Sequence, residues 1–173
     1  NCKNRLNRMR GNMVTLLTET ILQFLSDQPM AFAELKGSDR YPQVGGLVTF
    51  YDFQGGTIVM ADVCGLPWEE NKCVGGFFGF HIHEGGACSG NAEDPFADAG
   101  GHYNPDGCPH PEHAGDMPVL IGYRGKAWMA FYTERFTPEE VKGKTVIIHR
   151  MSDDYSSQPA GDAGKKIACG MIR

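Results

Sequence analysis

With 173 residues, 41% apolar and 21% charged, the chain has the size and composition of one soluble globular domain with a substantial core. A net charge of −5 argues against a basic face for nucleic acid, and no apolar run of about 18 residues is present to span a membrane. The 23 glycines fit a β protein with many tight turns.

In chain order, the first ten residues, NCKNRLNRMR, are basic and polar. Within Met13–Leu25, Leu17, Ile21, Phe24 and Leu25 recur at helical spacing, which predicts a short amphipathic helix. This segment is not a secretory h-region: it carries Thr15, Thr18, Glu19 and Thr20, and no small-residue cleavage site follows. We therefore expect an N-terminal extension over residues 1–29 and a single β domain over 30–173. Alternating or β-rich runs predict strands at Met30–Gly37, Leu47–Phe53 and Thr57–Val63, the last two joined by a tight turn at Gln54-Gly55-Gly56. Further strands are predicted at Phe77–His83, Val119–Tyr123, Ala127–Tyr132, Thr145–His149 and Ile167–Ile172. Between them Glu84–Met117 and Arg150–Lys165 have no periodicity, and long irregular stretches in a compact domain are usually functional. Short strands with little helix point to a sandwich or a barrel.

The histidines are the strongest chemical signal. Five of six lie between Phe80 and Asp116, and His149 ends a later strand. His81 and His83 are two apart on a strand and share one face, while Phe80 and Ile82 point to the core. His110, His113 and Asp116 form an H-x-x-H-x-x-D run whose ligand types suit tetrahedral zinc. The remaining imidazoles suit a tetragonal copper site. The six cysteines, Cys2, Cys64, Cys73, Cys88, Cys108 and Cys169, contain no CxxC pair; their even count permits disulfides but proves none.

The segments GFHIHE (Gly79–Glu84), GGHYNP (Gly100–Pro105), HAGD (His113–Asp116), TVIIH (Thr145–His149) and GDAGKKIACG (Gly161–Gly170) resemble the copper/zinc superoxide dismutase family. The resemblance runs from about Gly46 to Arg173, and the tail SSQPAGDAGKKIACG is closer to bacterial members. It implies an eight-stranded Greek-key β-barrel with two long functional loops. It also implies disproportionation of superoxide by one-electron cycling of copper beside a structural zinc. Carried over by residue, His81, His83, His102 and His149 match copper ligands, and His102, His110, His113 and Asp116 match zinc ligands. His102 would be the shared bridge and a proton donor. Asp153 matches the carboxylate that links a copper histidine to a zinc histidine, with Asp154 as its competitor. Cys88 and Cys169 match the internal disulfide; Cys73 and Cys108 are expected to form a second, leaving Cys2 and Cys64 free.

Three features depart from the family pattern. The gap between His110 and His113 is short. Lys166 stands where most members carry Arg, with Lys165 beside it; it is expected to draw the superoxide anion to the copper, without the planar fork of Arg. Ala160 stands where a Thr is common. The alternative reading is a copper- and zinc-binding barrel with little or no dismutase activity. A homodimer fits bacterial relatives, which occur as monomers and dimers. No visible signal peptide leaves the cytoplasm open, whereas disulfides suit an oxidising compartment.

Overall fold

The computed structural model describes residues 28–70 and 76–173. The predicted helix over Met13–Leu25, together with Cys2 and Cys73, lies outside the described residues. The strands are β1 (Ala31–Gly37), β2 (Gly45–Phe53), β3 (Gly56–Cys64), β4 (Phe77–Phe78), β5 (Phe80–His83), β6 (Leu120–Ile121), β7 (Lys126–Thr133), β8 (Thr145–His149) and β9 (Lys166–Met171). One helical turn, α1 (Pro138–Val141), precedes β8, closed by a capping box between Thr137 and Glu140.

The pairing is antiparallel throughout, in the order β5-β8-β9-β1-β2-β3-β7, with β4 paired to β6. β4 and β5 are two halves of the strand predicted at Phe77–His83. Counted as one, they make eight strands. The tight turn from Tyr123 to Lys126 joins β6 to β7 and closes the circuit. After the β1–β2–β3 meander the chain crosses to β4 and β5, then returns so that β7 lies beside β3. This is the expected Greek-key barrel.

The break between β4 and β5 has a local cause. Gly79 donates its N–H to Met151 O at 2.6 Å and accepts from His149 N at 2.8 Å, so its main chain bonds to the approach of a loop. A Cβ there would lie 2.8 Å from the Ala163 side chain and 3.2 Å from that of His149, which only glycine avoids. β6 is shorter than the predicted Val119–Tyr123 because Val119 N–H is taken by the Tyr155 hydroxyl at 3.0 Å.

Alternation drives one core. Ala31, Ala33, Leu35, Val48, Phe50, Val59, Ala61, Val63, Phe80, Ile82, Val146 and Ile148 point inward and are buried. A second small cluster of Phe96, Ala99, Ile147 and Cys169 sits on the outer wall, under the loop pinned by the Cys88–Cys169 disulfide. It explains why β8 is buried at every position: Ile148 faces the core and Ile147 faces this cluster. Among the described residues no helix is long and apolar enough to cross a membrane.

Candidate metal centre

His81 and His83 project from the outer wall, as their spacing predicts, yet they are as buried as Phe80 and Ile82. The two long irregular loops cover them. Tyr103 N donates to Ile82 O at 2.8 Å, Ile82 N to Gly115 O at 2.9 Å, and Glu84 N to Gly101 O at 2.9 Å. The first loop therefore satisfies the otherwise open edge of β5 and carries His102, His110, His113 and Asp116 onto the same wall. His149 arrives from β8, next to β5.

Two groups of side chains result. His81, His83, His102 and His149 bring ligand atoms within 4.8 Å of one another, as do His102, His110, His113 and Asp116. His102 belongs to both.

Hydrogen bonds decide which nitrogen each ring leaves open. His81 donates from Nε2 to Asp153 Oδ2 at 2.7 Å, leaving Nδ1 buried without a partner. His83 donates from Nδ1 to Gly100 O at 2.8 Å, and His149 from Nδ1 to Gly164 O at 3.1 Å. Their Nε2 atoms then face each other at 3.2 Å. With those tautomers two lone pairs face each other, an arrangement that a cation between them would relieve. His102 Nε2 is also buried and unpartnered, while its Nδ1 lies 2.7 Å from Asp116 Oδ1. His110 gives Nε2 to Asp153 Oδ1 at 2.9 Å and turns its Nδ1, 3.0 Å from Asp116 Oδ2, into the second group. His113 Nδ1 lies 3.3 Å from the same oxygen.

Leaving several buried imidazole nitrogens unsatisfied is costly, so their convergence fits metal ions. Four imidazole nitrogens suit copper; three nitrogens and a carboxylate suit zinc. The carboxylate joining the groups is Asp153. Asp154 accepts instead from the N–H groups of Ser156 and Ser157, both at 2.8 Å.

The electrostatics of His81, His83 and His149 agree with rings held neutral. Burial lowers His149 to about 3, with nearby His81 adding repulsion. Burial, then His149 and His102, hold His83 well below its ordinary value. Burial also lowers His81, against the opposing bond from Asp153. Burial favours the neutral acid at Asp153, but the bonds from His81, Tyr155 N–H and His110 outweigh it and hold the carboxyl at about 2. At Asp116 the bond and charge of His102 outweigh burial in the same way.

Lys166 pairs with His149 across β8 and β9, but its Nζ is engaged. It donates to Asp94 Oδ2 at 2.7 Å and to Phe96 O at 3.0 Å. Burial raises the Asp94 carboxyl; the Lys166 bond and the Phe96 N–H outweigh it and hold it below its ordinary value. Lys165 is exposed, with no ion pair among the described residues.

The Cys88–Cys169 bridge forms. Cys73 lies outside the described residues, and Cys108 is a half-buried thiol with no bridge to a described cysteine. Asn104 fixes its main chain, its amide bonding Cys108 O at 2.8 Å and Cys108 N at 3.0 Å. Cys64 is free and exposed.

Several contributors carried no sequence signal. The carbonyls of Gly100 and Gly164 orient His83 and His149. Gly161, at φ 66°, lies so close to Asp153 and His110 that a Cβ would be 2.7 Å from His110 Nε2. Gln158 and Arg135 bond the main chain around His110.

Comparison with known proteins agrees with this geometry. The family model described as copper/zinc superoxide dismutase matches residues 44–172. A curated copper/zinc superoxide dismutase of Deinococcus radiodurans is 34% identical, covering 84% of this chain and 85% of its own. One from Aquifex aeolicus is 35% identical, covering 83% and 86%. Among solved structures, the copper/zinc superoxide dismutase of Brucella abortus superposes with a TM-score of 0.68 at 28% identity, over 83% of this chain and 99% of that one. A double mutant of a superoxide dismutase-like protein from Bacillus subtilis gives 0.65 at 29% identity, over 80% and 94%.

Proposed function

This chain belongs to the copper/zinc superoxide dismutase family, and from that premise we propose that it disproportionates superoxide to oxygen and hydrogen peroxide. Its cofactors are copper and zinc. His81 through Nδ1, and His83, His102 and His149 through Nε2, would hold copper. His102, His110 and His113 through Nδ1, with the Asp116 carboxylate, would hold zinc. Bound copper supplies a one-electron redox couple, which zinc lacks; zinc supplies fixed charge and structure.

The protein's own groups account for the remainder. Asp153 fixes the tautomers of His81 and His110, and the carbonyls of Gly100 and Gly164 fix those of His83 and His149. The covering loops exclude water from the imidazoles. His102 is the only ring in both groups, so its Nε2, when not engaged by copper, would be the site at which a proton is held for the product. Lys166 and Lys165 supply positive charge beside His149 to attract a small anion to an acidic protein. The Cys88–Cys169 bridge supports an oxidising compartment as its location.

The observation that carries this reading is His102: its ring buried, shared by both groups, with an unpartnered Nε2. Pulse radiolysis of the copper- and zinc-loaded protein, with its copper EPR spectrum, tests it. A fast, catalytic decay of superoxide and a tetragonal four-nitrogen signal are expected. Decay no faster than the uncatalysed reaction would leave the second reading, a metal-binding barrel with little dismutase activity. The Asp94 carboxylate bonded to Lys166 favours that alternative, because it offsets the steering charge.

A further inference from the structure

Only Pro111 and Glu112 separate His110 from His113, and this short segment bonds little to itself: Glu112 N donates to Pro109 O at 2.8 Å. Side chains from two other parts of the chain hold it. The Gln158 amide pairs with the His110 main chain twice, donating from Nε2 to His110 O at 2.6 Å and accepting from His110 N at 3.0 Å. Arg135 donates from Nη1 to Pro111 O at 2.8 Å and to His113 O at 3.2 Å. Its Nη2 lies 3.5 Å from Glu112 Oε2. The carbonyls of His110, Pro111 and His113 thus accept from Gln158 and Arg135, neither a proposed ligand; His113 is also tied to Asp116, its O accepting from Asp116 N at 3.2 Å and its N donating to Asp116 Oδ2 at 3.1 Å. Gln158 belongs to the loop that also carries Asp153, whose Oδ1 accepts from His110 Nε2. His110 is therefore fixed through both its main chain and its ring.

We propose that Gln158 and Arg135 are positioning residues for zinc: they set the main chain of His110–His113 so that both Nδ1 atoms converge before the ion binds. A short spacer makes this necessary, since a freely moving segment would have to be ordered by the metal itself, at the expense of affinity. The inference rests on the zinc assignment above.

The test is metal affinity in the full chain. Zinc dissociation constants of wild type, Gln158→Ala and Arg135→Ala are measured by competition with the chelator 4-(2-pyridylazo)resorcinol, and copper affinities in parallel. Either substitution is expected to weaken zinc about tenfold, in line with other groups that orient ligands, with copper held within about twofold. Arg135→Lys keeps a donor without the fork and recovers part of the loss. Gln158→Glu sets a carboxylate against the His110 carbonyl and weakens zinc at least as much as Ala. These two replace the alanine variants if those fail to fold. Cobalt(II) in the zinc position adds a spectroscopic check, because its visible bands report tetrahedral geometry and should shift in the variants. Unchanged zinc affinity, or zinc and copper weakened equally, overturns the proposal. Wild type that binds no zinc at this group overturns the zinc assignment instead.

Discussion

The two oxygens of Asp153 divide between the groups, Oδ2 accepting from His81 at 2.7 Å and Oδ1 from His110 at 2.9 Å. One side chain thereby orients a ring of each histidine group, the proposed copper and zinc sites, together. Asp153→Asn offers a single acceptor and points an NH2 at an imidazole N–H. Both metals are expected to bind about 10- to 100-fold more weakly. The check is metal content after dialysis against a graded chelator. Asp154→Asn is the control, because Asp154 caps only the Ser156 and Ser157 turn. Equal metal retention in Asp153→Asn and wild type would remove Asp153 from this role.

The ion pair of Lys166 and Asp94 makes a second prediction. The Asp94 side chain is 40% exposed, so the pair is weak in water, but it offsets positive charge beside His149. Asp94→Asn keeps an acceptor for Lys166 while removing the negative charge. The rate at low salt should rise about two- to threefold and fall more steeply as salt is added. Lys166→Glu should lower it about tenfold and flatten the salt dependence. Pulse radiolysis across ionic strength measures both. An unchanged rate in Lys166→Glu would end its steering role.

Much of this was legible in the residues, for reasons that differ by element. Alternation placed the strands because one face of each must bury Val, Ile or Phe; β8 coincides with the predicted Thr145–His149. The histidine spacings pointed to both candidate metal groups, in part because His81 and His83 share a face by strand geometry alone. Burial of those histidines was not legible, since it depends on how two aperiodic loops fold over the barrel. Gln158, Arg135 and Asp94 were missed for a related reason: they act on main-chain carbonyls or on another charge, which leaves no spacing to read. The Cys73–Cys108 pairing was inferred from nearness to the site in sequence, and Cys73 lies outside the described residues.

The disulfide yields a third prediction. Cys88 and Cys169 are 81 residues apart, and closing a loop of that length stabilises by about 4 kcal/mol in the chain-entropy model. The bridge also holds Phe96 and Ala99 over Ile147. Cys88→Ser is expected to lower the melting temperature of the metal-free protein by about 10 °C. Calorimetry measures it. A shift of only about 1 °C would show that the loop stays docked without its covalent tie.

Acid should unfold the metal-free protein in a window set by the buried histidines. His149 takes up its proton at about 3 in the folded chain but near its ordinary value of 6.5 once unfolded. His83 and His81 are shifted in the same direction. Between those limits the unfolded chain binds more protons, so stability falls as pH falls. The penalty these histidines impose is absent above 6.5 and grows progressively toward 3. Asp153, lowered from 3.8 to about 2, adds a further loss between those values, since its pairing needs the ionised carboxylate. Bound metal should resist this until protons compete for the same nitrogens, so metal release and unfolding should coincide on acidification. Urea midpoints of metal-free and loaded protein from pH 7 to pH 3 test both statements. A flat midpoint for the metal-free protein across that range would contradict the buried, neutral histidines.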